Sequence, residues 1–485
     1  MLRARSLLEE LRSALSAAAV LTAREACVAF ECDGLTAHRQ IPDIVVLPKS
    51  VDEAQSVLRI CQRFGVAVVT RGAGTGLSGG AKPVAGGVLL VLSKLNKILE
   101  LDPVRRIARL QPGVTNLSIS TAARPFGLFY APDPSSQVAC TIGGNVAENS
   151  GGVHCLKYGL TFNNLLQIKV LTIDGELLVL GNEMQETCGY ELLALLSGSE
   201  GMLGVIVEVT VKLVPCPERT ELLLAAFDDV ERCAAAVAAI IAAGIIPAGL
   251  EMMDQLAIRA AESFARCAYP TDAQALLWCE LDGVGADVDW QIRRVTQILQ
   301  EFGATLVRKA ADAGERDRMW SGRKSAFPAV ARLAPDYYCM DGTIPRKRLS
   351  EVLGRIEEMS RTFGLRIANV FHAGDGNLHP LILFDAGKPD ELERAERLGA
   401  AVLELCVAVG GTVTGEHGVG VEKLGPMCMQ FNAEELAVFH AVKRAFDPGE
   451  LLNPGKAVPT LNRCADHGAM RVHQGRLPHP DLPRF

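Results

Sequence analysis

Apolar and polar positions alternate in blocks along this chain. The run IPDIVVLPKS predicts a strand, and SVDEAQSVLRICQRFG has the spacing of an amphipathic helix, with Ser50 and Glu53 as a capping box and Gly65 as its stop. VAVVT predicts another strand and leads directly into the glycine-rich run Arg71 to Ala81, after which GGVLLVLSKLNKILELD reads as a strand entering a turn. From Ile107 to Val214 short strand-like segments alternate with glycine-rich loops, and Asp174-Gly175 between LLQIKVLTI and ELLVL predicts a hairpin. The opening residues, MLRARSLLEELRSALSAAAVL, read as a leading helix.

After Pro215 and Pro217 the pattern changes to longer helical segments, such as DDVERCAAAVAAIIAAG and DWQIRRVTQILQEFG, interleaved with strands such as LLWCELDG. The fold class is α+β. The chain divides into a leading helical segment (1–40), a first α+β domain (41–218), a second α+β domain (219–410), a C-terminal segment returning to the first domain (411–457) and a tail without periodicity (458–485). Cys233 to Leu250 carries no charge and approaches the length of a membrane span of about 20 residues. It is rich in alanine and carries Gly244, Pro247 and Gly249 near its end, so it reads as a helix packed inside a domain.

Composition narrows the class. Lys plus Arg number 49 against 56 Asp plus Glu, a formal charge of −7, which argues against a nucleic-acid coat. The 46 glycines cluster in short runs with no fixed period, which excludes collagen-like and solenoid repeats. The 14 cysteines contain no C-x-x-C pair, so iron–sulfur clusters and zinc ribbons lack their usual ligands, and the thiols read as reduced and buried in an intracellular protein. Glu9, Glu10 and Arg12 interrupt the apolar core that a secretory signal requires, so the reading is cytoplasmic.

In RGAGTGLSGGA five glycines fall within eleven residues directly after a strand, an arrangement that turns successive backbone N–H groups toward an anion. Gly72, Gly74 and Gly76 give G-x-G-x-G rather than the dinucleotide fingerprint, and no Gly-Lys-Ser/Thr follows, so nicotinamide and Walker-type sites are both disfavoured. Alone, the loop reads equally as a glycine-rich turn. Two further clusters, PDPSSQVACTIGGNVAENSGG from Pro132 and SGSEGMLGVI from Ser197, place three such segments in one domain.

FHAGDGNLHP sets His372 and His379 seven residues apart, and VTGEHGVG adds Glu416 beside His417. Two imidazoles and a carboxylate suit Zn²⁺ or a similar divalent ion with positions left for substrate. By spacing alone, metal binding and simple satisfaction of loop backbone both stay open; the second motif favours the metal. His417 offers a base that titrates near neutrality, and Arg323, in WSGRKSAFPA, can fork onto a substrate carboxylate. His467, His473 and His479 in the tail read as scattered surface histidines.

The three glycine clusters and LLNPGK at Leu451 together resemble the FAD-binding domain of the vanillyl-alcohol oxidase and p-cresol methylhydroxylase superfamily. HAGDGNLHP, GEHGVG, WSGRKSAFPA and DYYCMDGTIP resemble its 2-hydroxy-acid branch, which includes D-lactate dehydrogenases, D-2-hydroxyglutarate dehydrogenase and the FAD-linked subunits of bacterial glycolate oxidases. CELDG at Cys279, DYYCMDGTIPR at Asp336 and the tail GAMRVHQGRLP are most similar to the last of these. The resemblance implies FAD contacts from Arg71, Gly72, Gly74, Thr75, Gly76, Leu77 and Ser78. It implies others from Pro132, Asp133, Ser136, Gly143, Gly144, Asn145, Asn149, Ser150, Gly151 and Gly152, and from Gly201, Gly204, Val205, Ile206 and Asn453. Some members bind flavin covalently through a histidine in the first loop; Leu77, Ser78 and Gly79 stand there, which implies non-covalent FAD.

It further implies His372, His379 and Glu416 as ligands of Zn or Mn, His417 as base, Arg323 on the substrate carboxylate and Asn377 as a polar neighbour. In the 2-hydroxyglutarate branch a lysine reaches the distal carboxylate from the position that matches Cys339, so a small 2-hydroxy acid such as glycolate or D-lactate is favoured over a long diacid. The glycolate oxidase resemblance implies a second flavin-type subunit and an iron–sulfur subunit as partners, with at most peripheral association at the inner face of the cytoplasmic membrane. A stand-alone D-lactate dehydrogenase, a non-catalytic flavin-binding assembly subunit and a metallohydrolase are the competing classes. The assembly subunit would have lost the His372, His379, Glu416 and His417 group that this chain keeps.

Overall fold

The computed structural model describes residues 2–184 and 189–460. The tail histidines and the GAMRVHQGRLP segment lie outside the described residues. The leading helix, Leu2–Ala14, is amphipathic: Leu7 and Leu11 bury against Val57, Leu58 and Cys61 of the helix Val51–Phe64. Ser50 Oγ accepts the Glu53 N–H at 3.2 Å, and Gly65 stops that helix at φ +60°. The Glu53 carboxylate accepts from the Lys49 N–H rather than from Ser50, so the reciprocal half of the expected capping box reaches one residue further back. This helix covers a four-stranded sheet in the order Val20–Leu21, Ile44–Val46, Val88–Val91, Val68–Arg71, whose last three strands are parallel.

A five-stranded antiparallel sheet follows, in the order Ile98–Asp102, Ile107–Leu110, Val205–Lys212, Leu165–Leu171, Leu177–Gly181. Its last pair is the hairpin read from Asp174-Gly175, with Gly175 at φ +77°. Ile168, Val170 and Val209 of this sheet pack on Ile142 and Val146 of the helix Ile142–Glu148, which fixes the second glycine cluster against the core.

From Arg219 the chain builds a seven-stranded antiparallel sheet in the order Leu306–Lys309, Arg219–Phe227, Ala275–Gly283, Gly249–Asp254, Ile367–His372, Asn377–Phe384, Asp336–Cys339. Both faces are buried. Leu223, Ala225, Phe227 and Cys279 meet one helical layer, and Leu222, Leu224, Ala226 and Trp278 meet the other. That is why ELLLAAF and ALLWCELDG read as continuous apolar runs rather than alternating ones. The uncharged stretch from Cys233 belongs to the helix Val230–Ala242, whose Cys233, Val237 and Ile240 are fully buried in this domain. Among the described residues no helix is long and apolar enough to cross a membrane.

The C-terminal segment returns to the first sheet. Leu452 pairs in parallel with Val68, and the Val68 N–H donates to Leu451 O at 2.8 Å. Eleven of the described cysteines are free thiols, nine of them buried. Cys428 is disulfide-bonded and departs from the expectation of reduced thiols throughout.

Candidate active site

The three glycine clusters and the histidine motifs, far apart in sequence, line one cavity of about 450 Å³. Gly72, Gly74, Thr75, Gly76 and Leu77 form one wall, directly after the strand Val68–Arg71. Ser136, Gly143, Gly144, Asn145 and Ser150 form a second, and Gly201, Gly204 and Ile206 a third. A β-carbon at Gly72 would overlap Thr141 Oγ1, and Gly74 sits at φ +75°, so these loops bring backbone to the cavity where side chains would fill it. This lining of small residues, which lets a ligand approach the backbone closely, fits a pyrophosphate-bearing cofactor.

The other residues expected at the cofactor do not line the cavity; they hold the loops from behind. Arg71 turns away, donating to Cys32 O at 2.7 Å and stacking over Phe30. The Pro132 carbonyl accepts from Asn116, and Asp133 pairs with His154 at 2.9 Å. Asn149 accepts the Phe162 N–H, Ser78 O accepts the Val421 N–H, and Val205 is buried in its strand. Asn453 donates to Gly80 O at 3.0 Å and Glu200 O at 2.6 Å. At Gly152, with φ +155°, a β-carbon would press on the Asp133 backbone, and at Gly151 it would overlap the Glu416 carboxylate.

Hairpin register explains how histidines seven residues apart converge. His372 pairs across from Asn377, and His379 lies two residues beyond, so both project from one face of the sheet with ring centroids 5.0 Å apart. Both Nε2 atoms meet Glu416 Oε1, at 3.2 Å from His372 and 3.0 Å from His379. Each Nδ1 faces an acceptor: Glu251 Oε1 at 2.7 Å from His372, and Met340 O at 3.4 Å from His379. Outer partners on Nδ1 with Nε2 directed inward is the arrangement of metal-bound histidine. Electrostatics agree: burial opposes a charge on His372, but Glu251 and Glu416 outweigh it and raise its pKa well above the ordinary value. Burial likewise opposes ionisation of Glu416, yet His372 holds it well below the carboxylate range. The opposite shifts set a cationic imidazole against an anionic carboxylate at the three donor atoms that the sequence suggests for a metal.

His417 stacks on His379, rings 4.8 Å apart and nearly parallel, with Nε2 3.8 Å from Glu416 Oε1. Burial pushes its pKa down to about 4, leaving a neutral imidazole at neutral pH, and its buried Nδ1 has no hydrogen-bond partner. Arg323, at the end of the helix Ala313–Lys324, is buried on the cavity wall; Nη2 pairs with Glu251 and Nε has no partner. Lys324, Phe327 and Pro328 line the wall beside it.

Asn377 does not reach the cavity. Its Nδ2 donates to Asp341 Oδ1 at 2.9 Å, and Asp341 is the hub that the sequence reading missed. The fully buried Asp341 carboxylate accepts the N–H groups of Gly415, Glu416 and His417, the Thr414 hydroxyl and the Lys423 ammonium. Asp341 and Glu200 lie inside the motifs DYYCMDGTIP and SGSEGMLGVI, yet nothing local shows which groups they meet; for Glu251 the signal was an acid inside the apolar run GLEMMD. Cys339 lines a neighbouring cavity of about 350 Å³ rather than the main one, although its Sγ lies within 4.8 Å of donor atoms of His379 and His417.

Family models match most of the chain: an FAD binding domain over residues 42–181, and the C-terminal domain of FAD linked oxidases over 216–457. Glycolate oxidase subunit GlcD of Escherichia coli (strain K12) is 60% identical, over 99% of this chain and 96% of that protein. The subunit of the same name from Bacillus subtilis (strain 168) is 39% identical over 88% of this chain and 91% of its own. A D-lactate dehydrogenase of Anaerostipes hadrus is 31% identical over 86% and 89%. Among solved structures, p-cresol methylhydroxylase with substrate bound overlays with a TM-score of 0.82 at 18% identity, covering 95% of this chain and 98% of that one. That likeness concerns the fold.

Proposed function

The chain belongs to the FAD-linked oxidases, and on that premise we propose how its residues divide the work. It is an FAD-dependent oxidoreductase acting on 2-hydroxy acids, with a small substrate such as glycolate or D-lactate. One observation carries the assignment of residues: the glycine loops, Arg323, His372, His379, Glu416 and His417 all line the same cavity.

In our reading the flavin domain is 41–218, the substrate domain 219–410, and the segment 411–457 closes over both. The glycine loops hold FAD non-covalently, and bound FAD supplies a hydride acceptor. His372, His379 and Glu416 hold a divalent ion, Zn or Mn, which supplies Lewis acidity toward the substrate oxygens. Arg323 orients the substrate carboxylate, its charge held in place by Glu251. His417, neutral through burial, takes the hydroxyl proton as the α-hydrogen departs with its electron pair. Asp341, through the N–H groups of residues 415–417, fixes the loop that carries both Glu416 and His417. A cytoplasmic complex with a second flavin-type subunit and an iron–sulfur subunit, touching the membrane only through those partners, completes the proposal.

The test is anaerobic bleaching of the flavin band on addition of glycolate, D-lactate, L-lactate and D-2-hydroxyglutarate in turn. Glycolate or D-lactate should bleach it. A yellow protein that none of the four reduces would overturn the assigned roles, and a colourless one the cofactor site.

A further inference from the structure

Glu148 ends the helix Ile142–Glu148 and lines the flavin cavity, yet belongs to no role assigned above. Its Oε2 is buried and has no hydrogen-bond partner. Glu200 stands beside it on the same wall and differs in one respect: it accepts the N–H groups of Val419 at 2.7 Å and Gly420 at 2.6 Å. The two carboxyls flank the same glycines. A β-carbon on Gly80 would lie 2.9 Å from Glu148 Oε1 and 3.7 Å from Glu200 Oε2. One on Gly418, next to His417, would overlap Glu148 and lie 3.0 Å from Glu200 Oε1.

Two desolvated carboxyls side by side do not both ionise readily; burial raises Glu200 too, but the Val419 and Gly420 N–H groups oppose that rise, and Glu148, which accepts no such bond at Oε2, takes the proton first. We propose that Glu148 is carried as a neutral carboxylic acid and is a hydrogen-bond donor from this wall to bound flavin. Burial first, and then the charges of Glu200 and Asp33, raise the Glu148 pKa well above the carboxylate range, against the opposing charges of Lys423 and Lys456. A neutral acid also spares an anionic cofactor a repelling charge. The inference rests on the reading of this cavity as the FAD site.

The experiment measures FAD affinity of the apoprotein for wild type, Glu148→Gln and Glu148→Leu, alongside infrared spectra of the loaded proteins. Glu148→Gln, isosteric and neutral with an amide donor, should bind FAD within about twofold of wild type. Glu148→Leu, which lacks the donor, should bind roughly tenfold more weakly, the scale of one lost hydrogen bond. Wild type should show a protonated-carboxyl C=O band that Glu148→Gln lacks. Tenfold tighter binding by Glu148→Gln would mean that the native residue is ionised and would overturn the proposal. So would wild-type affinity in Glu148→Leu. A wild-type apoprotein that takes up no FAD would remove the cavity assignment itself. Matching thermal unfolding of the three proteins separates all of these outcomes from misfolding.

Discussion

Arg323 and His372 share one carboxylate: Glu251 accepts from His372 Nδ1 at 2.7 Å with one oxygen and pairs with the Arg323 guanidinium through the other. Glu251 is fully buried, and although burial opposes its ionisation, His372 and Arg323 hold its pKa below the ordinary range. The guanidinium proposed for the substrate and the imidazole proposed for the metal are therefore both positioned by the same side chain. Glu251→Gln keeps the shape and removes the charge. It should weaken divalent-metal affinity by about 10- to 100-fold, as outer-shell changes do, and raise KM for the hydroxy acid. Metal titration with steady-state kinetics checks both, and an unchanged metal affinity would uncouple them.

His417→Ala should retain FAD and lose about 10²- to 10⁴-fold in the rate of flavin reduction by substrate, the usual worth of a positioned base. Stopped-flow bleaching reads it directly. Undiminished reduction in the variant would take the base role away from His417.

Chelation should lower turnover without releasing FAD, because the donor atoms come from the sheet of the second domain and the 416 loop, whereas the glycine loops proposed to hold FAD belong to the first. Retention of the visible flavin spectrum during dialysis against chelator tests the second half. An unchanged rate in protein shown to be metal-free would sink the metal assignment.

The imidazole of His154 lies between Asp133 and Glu280, each 2.9 Å away, and Glu280 also accepts from Trp320 Nε1 at 2.6 Å on the helix that bears Arg323. Burial opposes the charge, but Asp133 and Glu280 outweigh it and lift the His154 pKa well above its ordinary value. The raised folded-state pKa means that this clasp contributes fully below the unfolded value of about 6.5 and is lost as pH rises through the folded value. The melting temperature of wild type relative to His154→Gln should therefore be highest on the acid side and converge as pH increases. A difference that grows with pH would contradict the clasp.

The sequence disclosed what is local. A turn glycine at 175, a cap at Ser50 and glycine runs after strands carry their meaning within a few residues, and each appears where read. Motif membership overstated contact, however: Arg71 and Asn453 belong to cofactor motifs but spend their polar groups on Cys32, Gly80 and Glu200. What could not be read are the single acids that act across strands. Glu251 meets His372 121 residues away, and Asp341 meets His417 76 residues away, because antiparallel pairing and the returning loop bring them together. The acid's partner is chosen by register, which no local pattern encodes.

The return of Leu452 to Val68 also bears on the order in which the protein is made. Asn453 and Lys456 hold Gly80 O at 3.0 Å and 2.8 Å, yet Asn453 is translated 373 residues after that glycine. On the ribosome the glycine loop after Arg71 emerges early, and it must wait for almost the entire chain before its rear support arrives. The rear support of this loop is thereby completed only at the end of synthesis.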